Sequence, residues 1–125
     1  MSTPEGLVKD AVKAYLNMVG CVPASKAPLA TKAHYGYYFM PVPFGHGVSG
    51  IPDFIGHYKG FFLAIETKVE KKNPTALQQH QINAINISRG KAFVVRGADD
   101  LGELKAWVRQ VNLVTATWGD FRVGS

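Results

Sequence analysis

Apolar residues near the start of the chain recur three and four positions apart, at Val8, Val12, Tyr15 and Val19. That spacing, opened by the hydroxyl, proline and acid of Thr3-Pro4-Glu5, predicts an amphipathic helix running to about Met18. Gly20 to Ala33, with two prolines and many small residues, reads as a loop. Tyr35 to Val42 is aromatic and β-branched, which predicts a strand ending at Pro41-Val42-Pro43. A glycine-rich loop, Gly45 to Gly50, precedes Asp53-Phe54-Ile55. Gly56 to Gly60 then reads as a hairpin turn into the apolar run Phe61-Phe62-Leu63-Ala64-Ile65. Asn73-Pro74-Thr75 starts a second helix, which reaches about Ser88 and is closed by Arg89-Gly90. Ala92-Phe93-Val94-Val95 is a short buried strand. Asp99-Asp100 is expected to cap a last helix carrying Leu101, Leu104, Trp107, Val108 and Val111 on one face, and Leu113 to Trp118 is expected as an edge strand. Helix, three strands, helix, strand, helix is the order of an α/β sandwich built on one mixed sheet.

With 125 residues the chain is expected to form a single domain over 1–125, large enough to bury a core without staples. The apolar runs are too short to span a bilayer, and Met1-Ser2-Thr3-Pro4-Glu5 lacks the order of a secretory signal. Cys21 is the sole cysteine, so it cannot form an intrachain disulfide; it reads as a small buried hydrophobe in a reducing cytoplasm. A net charge of +5 favours a polyanionic partner over an acidic-surface role. Its distribution says more: Cys21 to Gly50 holds Lys26, Lys32 and two histidines but no acid, and Lys71-Lys72 follows the apolar run. Basic residues thus flank the middle of the chain, as a phosphate-tracking surface requires, although Lys71-Lys72 also reads as a solvated rim.

The charged positions between these stretches carry the candidate chemistry. Along a strand, Glu66 and Lys68 face one way while Leu63, Ile65, Thr67 and Val69 face the other. If the hairpin turn centres on Tyr58-Lys59, Asp53 pairs with Ala64 and shares the face of Glu66 and Lys68. A bulge would send it to the opposite face. A lone Glu-x-Lys is usually an ion pair at a strand end. Joined by Asp53, it has the chemistry of metal-dependent phosphodiester hydrolysis: two hard-oxygen ligands and an ammonium beside them. Glu5 precedes Val8 and Val12 by three and seven positions, and Gln78 precedes Ile82 and Ile85 by four and seven, so both lean toward buried helix faces. Glu5 also suits the helix dipole, and Gln78 a helix boundary. His34, His46, His57 and His80 share no metal-ligand spacing. No Ser-His-Asp arrangement, Walker-type loop or dinucleotide fingerprint is present.

The ordered blocks Gly47-Val48-Ser49-Gly50-Ile51-Pro52-Asp53-Phe54-Ile55-Gly56, Phe62 to Lys68, Pro74 to Gln78 and Gly90 to Arg96 resemble a VRR-Nuc domain of the PD-(D/E)XK nuclease superfamily. The resemblance covers about Glu5 to Leu104. It implies a restriction-endonuclease-like α-β-β-β-α-β core with a mixed central sheet flanked by helices. It also implies a Mg²⁺-dependent endonuclease in which Mn²⁺ can substitute. Asp53 and Glu66 match the metal-binding acids and Lys68 the catalytic lysine, with the Thr67 carbonyl and Glu5 as further ligands and Gln78 as the second-helix glutamine. Lys26, Lys32, Ser49, Lys71 and Lys72 are the expected nucleic-acid contacts. The run that names the family reads Val95-Arg96-Gly97 here and lacks its second arginine, which leaves Arg96 as a further candidate. Stand-alone relatives, common in phages and bacteria, are similar to Holliday-junction resolvases. They imply a homodimer on branched DNA, with no membrane and no small-molecule cofactor. A catalytically idle nucleic-acid-binding module and an RNA-cleaving nuclease are the alternatives on the same fold.

Overall fold

The computed structural model describes residues 3–29, 34–42 and 47–118. Helix α1 (Pro4–Met18) begins as its sequence dictates: the Thr3 hydroxyl accepts the Gly6 N–H at 3.0 Å and Pro4 takes the first turn. It is followed by β1 (Cys21–Pro23), a 3-10 helix (Ala24–Leu29), β2 (Gly36–Phe39), β3 (Phe54–Tyr58) and β4 (Phe61–Thr67). Helix α2 (Ala76–Ile87), β5 (Lys91–Val95) and α3 (Gly102–Thr115) complete the order. The strands form one five-stranded sheet in the order β1-β2-β3-β4-β5. The outer pairs, β1–β2 and β4–β5, are parallel, and the inner pairs are antiparallel.

Alternation along the strands sends Tyr38, Phe54, Tyr58, Leu63, Ile65, Phe93 and Val95 to the face covered by α1 and α3. There they meet Val8, Val12 and Leu16 of α1 and Leu104, Val108 and Val111 of α3. On the other face α2 lays Ile82 and Ile85 against Ala64 and Ala92. Strand β4 lies between these layers, and every residue from Leu63 to Thr67 is buried. A fully buried aliphatic side chain contributes about 1.5–3 kcal/mol, so β4 is the strand on which the others are registered.

The hairpin turns on Lys59-Gly60, not Tyr58-Lys59, because both turn positions have positive φ (49° and 87°) and Gly60 takes the second without strain. Gly56, His57 and Tyr58 therefore belong to β3, and Phe54 pairs with Ile65. Asp53 lies one position beyond the paired residues, near Glu66 instead of Ala64. Its N–H meets the Glu66 carboxylate, while its own carboxylate bonds to Thr67, whose side chain takes the strand face opposite Glu66. The expected loop from Gly20 to Ala33 contains β1 and the 3-10 helix; three residues paired with Gly36–Tyr38 are too few to leave a periodic signal. Leu113 to Trp118 is not an edge strand: α3 continues to Thr115, whose hydroxyl donates to the Val111 carbonyl at 2.8 Å, and a turn follows. Nor do Asp99 and Asp100 cap α3. Leu101 is the N-cap, and the Asp100 carboxylate accepts the Arg96 N–H at 2.9 Å. Cys21 is buried, and burial pushes its thiol up to about 11, well away from a reactive thiolate. No described helix is long and apolar enough to cross a membrane.

Candidate active site

Two polar residues close the most buried strand. Glu66 is 1% exposed and Thr67 is fully buried at the end of β4, where apolar neighbours leave few ways to satisfy them. Asp53, just ahead of β3, does so. Its N–H donates to Glu66 Oε1 at 3.2 Å, while its Oδ2 accepts from the Thr67 N–H at 2.9 Å and the Thr67 hydroxyl at 2.6 Å. The threonine thus contributes its side chain to the site, although it occupies the opposite strand face from Glu66. Lys68 Nζ stands 3.6 Å from Glu66 Oε2. Lys9, from the middle of α1, brings its Nζ to 4.0 Å from Asp53 Oδ1. Lys9 was not among the residues singled out from the sequence, although it lies one turn after Glu5 on the same helix face.

Burial is the largest influence on Glu66 and raises its pKa; the negative charge of Asp53 raises it further. The Lys68 ammonium and the Asp53 N–H pull it down but do not win, and the carboxyl ends near 7. Lys9 and Lys68 each stand beside one of the two carboxylates. Two hard-oxygen donors at one end of β4 fit a divalent cation such as Mg²⁺, which takes one or two carboxylates and completes its shell from water and phosphate. Among the described residues no group of three or more His, Cys, Asp or Glu side chains converges in the manner of an all-protein metal cage.

A loop sets the position of Asp53. Gly50 has φ 83°, and a Cβ there would lie 2.5 Å from the Leu77 backbone, so only glycine lets residues 47–52 close against the first turn of α2. That turn is fixed by a capping box: the Gln78 N–H donates to Thr75 Oγ1 at 3.2 Å, and Gln78 Oε1 accepts the Thr75 N–H at 2.9 Å. Gln78 is half-buried, and its side chain folds back on the helix start instead of leaning into the core. Glu5 is exposed, because the buried stripe of α1 begins only at Val8.

The remaining predicted contacts lie apart from the carboxylates. Lys26 is exposed on the 3-10 helix, Ser49 is exposed in the 47–52 loop, and Lys71 and Lys72 are exposed after β4. Arg96 clips that last loop to the end of β5, donating through Nε to the Lys72 carbonyl at 3.0 Å and through Nη2 to Asn73 Oδ1 at 3.1 Å. Lys32 and His46 lie outside the described residues. His34, His57 and His80 are exposed, and His57 Nδ1 accepts the Gly60 N–H of the hairpin turn. A groove of about 660 Å³ is lined by Pro4, Leu7, Val69, Lys71, Arg96 and Asp99 among others, and Asp53, Glu66 and Lys68 are not part of its lining.

No protein-family model matches this chain, and no curated protein matches its sequence. Its fold, however, is found among solved structures. The chain superposes on a structure described as "VRR_NUC domain protein" with a TM-score of 0.55 and 16% identity, over 88% of this chain and 91% of that one. At that identity the likeness establishes architecture and no more: this α/β chain, with its mixed five-stranded sheet between helices, has the fold of a VRR_NUC domain protein.

Proposed function

We propose that this chain is a nuclease domain, spanning 1–125, that hydrolyses DNA phosphodiester bonds with a divalent metal, Mg²⁺ or Mn²⁺. One observation carries the reading: the Asp53 N–H meets the Glu66 carboxylate at the end of the β3–β4 pair with Lys68 beside it, on a fold shared with a VRR_NUC domain protein. A pure binding module gains nothing from a desolvated carboxylate pair, which would repel the phosphates it must hold. When bound, the metal supplies Lewis acidity toward the scissile phosphate and a more acidic attacking water.

The chain's own residues do the rest. Asp53 and Glu66 would hold the metal, with the Thr67 carbonyl as a further oxygen donor; Glu5, exposed on α1, would have to turn inward to join them. The Thr67 N–H and hydroxyl fix one Asp53 oxygen, and the other, which Lys9 approaches at 4.0 Å, is the one turned to ligate. Lys68 orients the attacking water and offsets charge on the phosphate. Lys9, opposite Asp53, suits the neighbouring phosphate. Gln78 acts by fixing the start of α2, and through Gly50 the loop that carries Asp53. Branched DNA is the proposed substrate, cut by a C₂ homodimer that presents two sites, with exposed Leu113 and Val114 of α3 available for the contact.

The test compares a four-way junction, a flap, linear duplex and single strands of DNA and RNA, with and without Mg²⁺. Asp53→Ala, Glu66→Ala and Lys68→Ala should each abolish cleavage while binding in Ca²⁺ persists. Near-normal turnover by Glu66→Ala would sink the proposed site.

A further inference from the structure

Among the described residues, no α-helix covers the β2 side of one sheet face. The residues alternating with the α1/α3 core positions point to the α2 side: Tyr37 and Phe39 on β2, Ile55 and His57 on β3, Phe62, Ala64 and Glu66 on β4. Helix α2 covers this face from β5 as far as Ile55 of β3: Ile82 and Ile85 meet Ala64 and Ala92, and Ile55 packs against the same cluster. Beyond it, Tyr37, Phe39 and Phe62 remain 38%, 42% and 42% exposed, and His57 is exposed between them. Single exposed apolar side chains are ordinary; a contiguous aromatic row is not.

The register gives the row a direction. Tyr37 pairs with His57, which pairs with Phe62, so three rings lie across three adjacent strands. The next row on this face is Phe39, Ile55 and Ala64, and Glu66 follows on β4. The aromatic row thus lies about 13 Å from the Glu66 carboxylate along β4, a span of a few nucleotides. Phe62 is braced by the turn after α2, where a Cβ on Gly90 would lie 2.9 Å from its ring.

Charge indicates the occupant. Between Asp10 and Glu66 the chain has a single acid, Asp53. At the hairpin end of the row Lys59 lies 4.8 Å from the Tyr35 ring, and at the β2 edge Lys26 lines a groove of about 420 Å³ that Phe39 also borders. Pairing this face with a second copy would bring two carboxylate-poor basic surfaces together. A polyanion whose bases carry π-faces meets both the charge and the rings.

We propose that the exposed row of Tyr37, His57 and Phe62, with Phe39 beside it, is a stacking platform for unpaired bases of the nucleic acid whose backbone Asp53 and Glu66 would cut. The proposal rests on the nuclease reading for the second half of that statement; stacking can be measured without cleavage. The probes are a short labelled oligothymidylate and a blunt duplex, titrated by fluorescence anisotropy in Ca²⁺. Tyr37→Ala, Phe39→Ala and Phe62→Ala should each weaken oligothymidylate binding about ten-fold and leave duplex binding unchanged. The salt dependence should stay the same, because no phosphate contact is removed, and Tyr37→Trp should bind like the parent. Unchanged oligothymidylate affinity, equal losses on both probes, or a dimer that dissociates in the ring variants would overturn the proposal; the last result would assign the face to a second copy. A chain that binds through these rings but cleaves nothing keeps the platform and removes the nuclease reading. Cleavage with unaltered oligothymidylate binding in the ring variants does the reverse.

Discussion

Glu66 is held between opposing influences, and their balance has a measurable sign. Its native pKa, near 7, lies above the ordinary value of 4.5, so the native state binds more protons than the unfolded chain between those values. Stability from this group is therefore full at low pH, falls as pH rises through that window, and is level above about 7. Glu66→Gln, which keeps the shape and removes the charge, should flatten this fall. It should stabilise the divalent-free protein at pH 8, with an upper bound on the order of 3 kcal/mol. Urea unfolding at pH 5 and pH 8 checks it, and identical pH slopes for parent and variant would mean that the carboxyl is solvated. Added Mg²⁺ or Ca²⁺ should then stabilise the parent more than the variant, since a ligand of the native state shifts stability only where it binds.

At the scale of elements, α2 matters through its first turn. Thr75 and Gln78 satisfy two backbone N–H groups reciprocally, and Gly50 rests on the same turn, so this helix start and the Asp53 loop are one packed unit. Gln78→Ala should cost about 1 kcal/mol of stability through the lost half of the capping box. Turnover per folded molecule should change little if the glutamine acts by positioning. A loss of turnover above ten-fold with unchanged stability would instead mean that Gln78 leaves its cap and touches substrate. The hairpin follows similar logic: its two-residue turn sets the register that brings Asp53 to the end of β4 beside Glu66 and Thr67.

For the whole molecule, the charge distribution bears on how a polyanion approaches. Lys71 and Lys72 sit on a loop that Arg96 holds by two hydrogen bonds, so their backbone is placed even though their side chains are exposed. If both contact phosphate, Lys71→Ala with Lys72→Ala should weaken duplex binding and reduce the slope of log affinity against log salt by about 2. Titrations across a range of salt concentrations check this, and an unchanged slope would return both lysines to the solvated rim.

What the sequence determined by itself was whatever is encoded within a few neighbouring residues. Caps and periodicity locate α1, α2 and most of α3, because Thr3-Pro4-Glu5 and Thr75 to Gln78 satisfy their own helix ends. Strand alternation put Glu66 on the face opposite Leu63 and Ile65, as the paired register has it, because a period of two is set within the strand itself. Tertiary structure decided what depends on distant segments meeting. A strand as short as β1 exists only through its pairing with β2, and Leu113 to Thr115 stays helical despite its β-branched residues because the stripe of Leu104, Val108 and Val111 is already packed. The approach of Lys9 to Asp53, and the bonds from Thr67 to the same carboxylate, arise where α1 crosses the end of the β3–β4 pair. Tyr37, Phe39 and Phe62 read locally as core; they stay in solvent because the cover of α2 reaches only as far as Ile55.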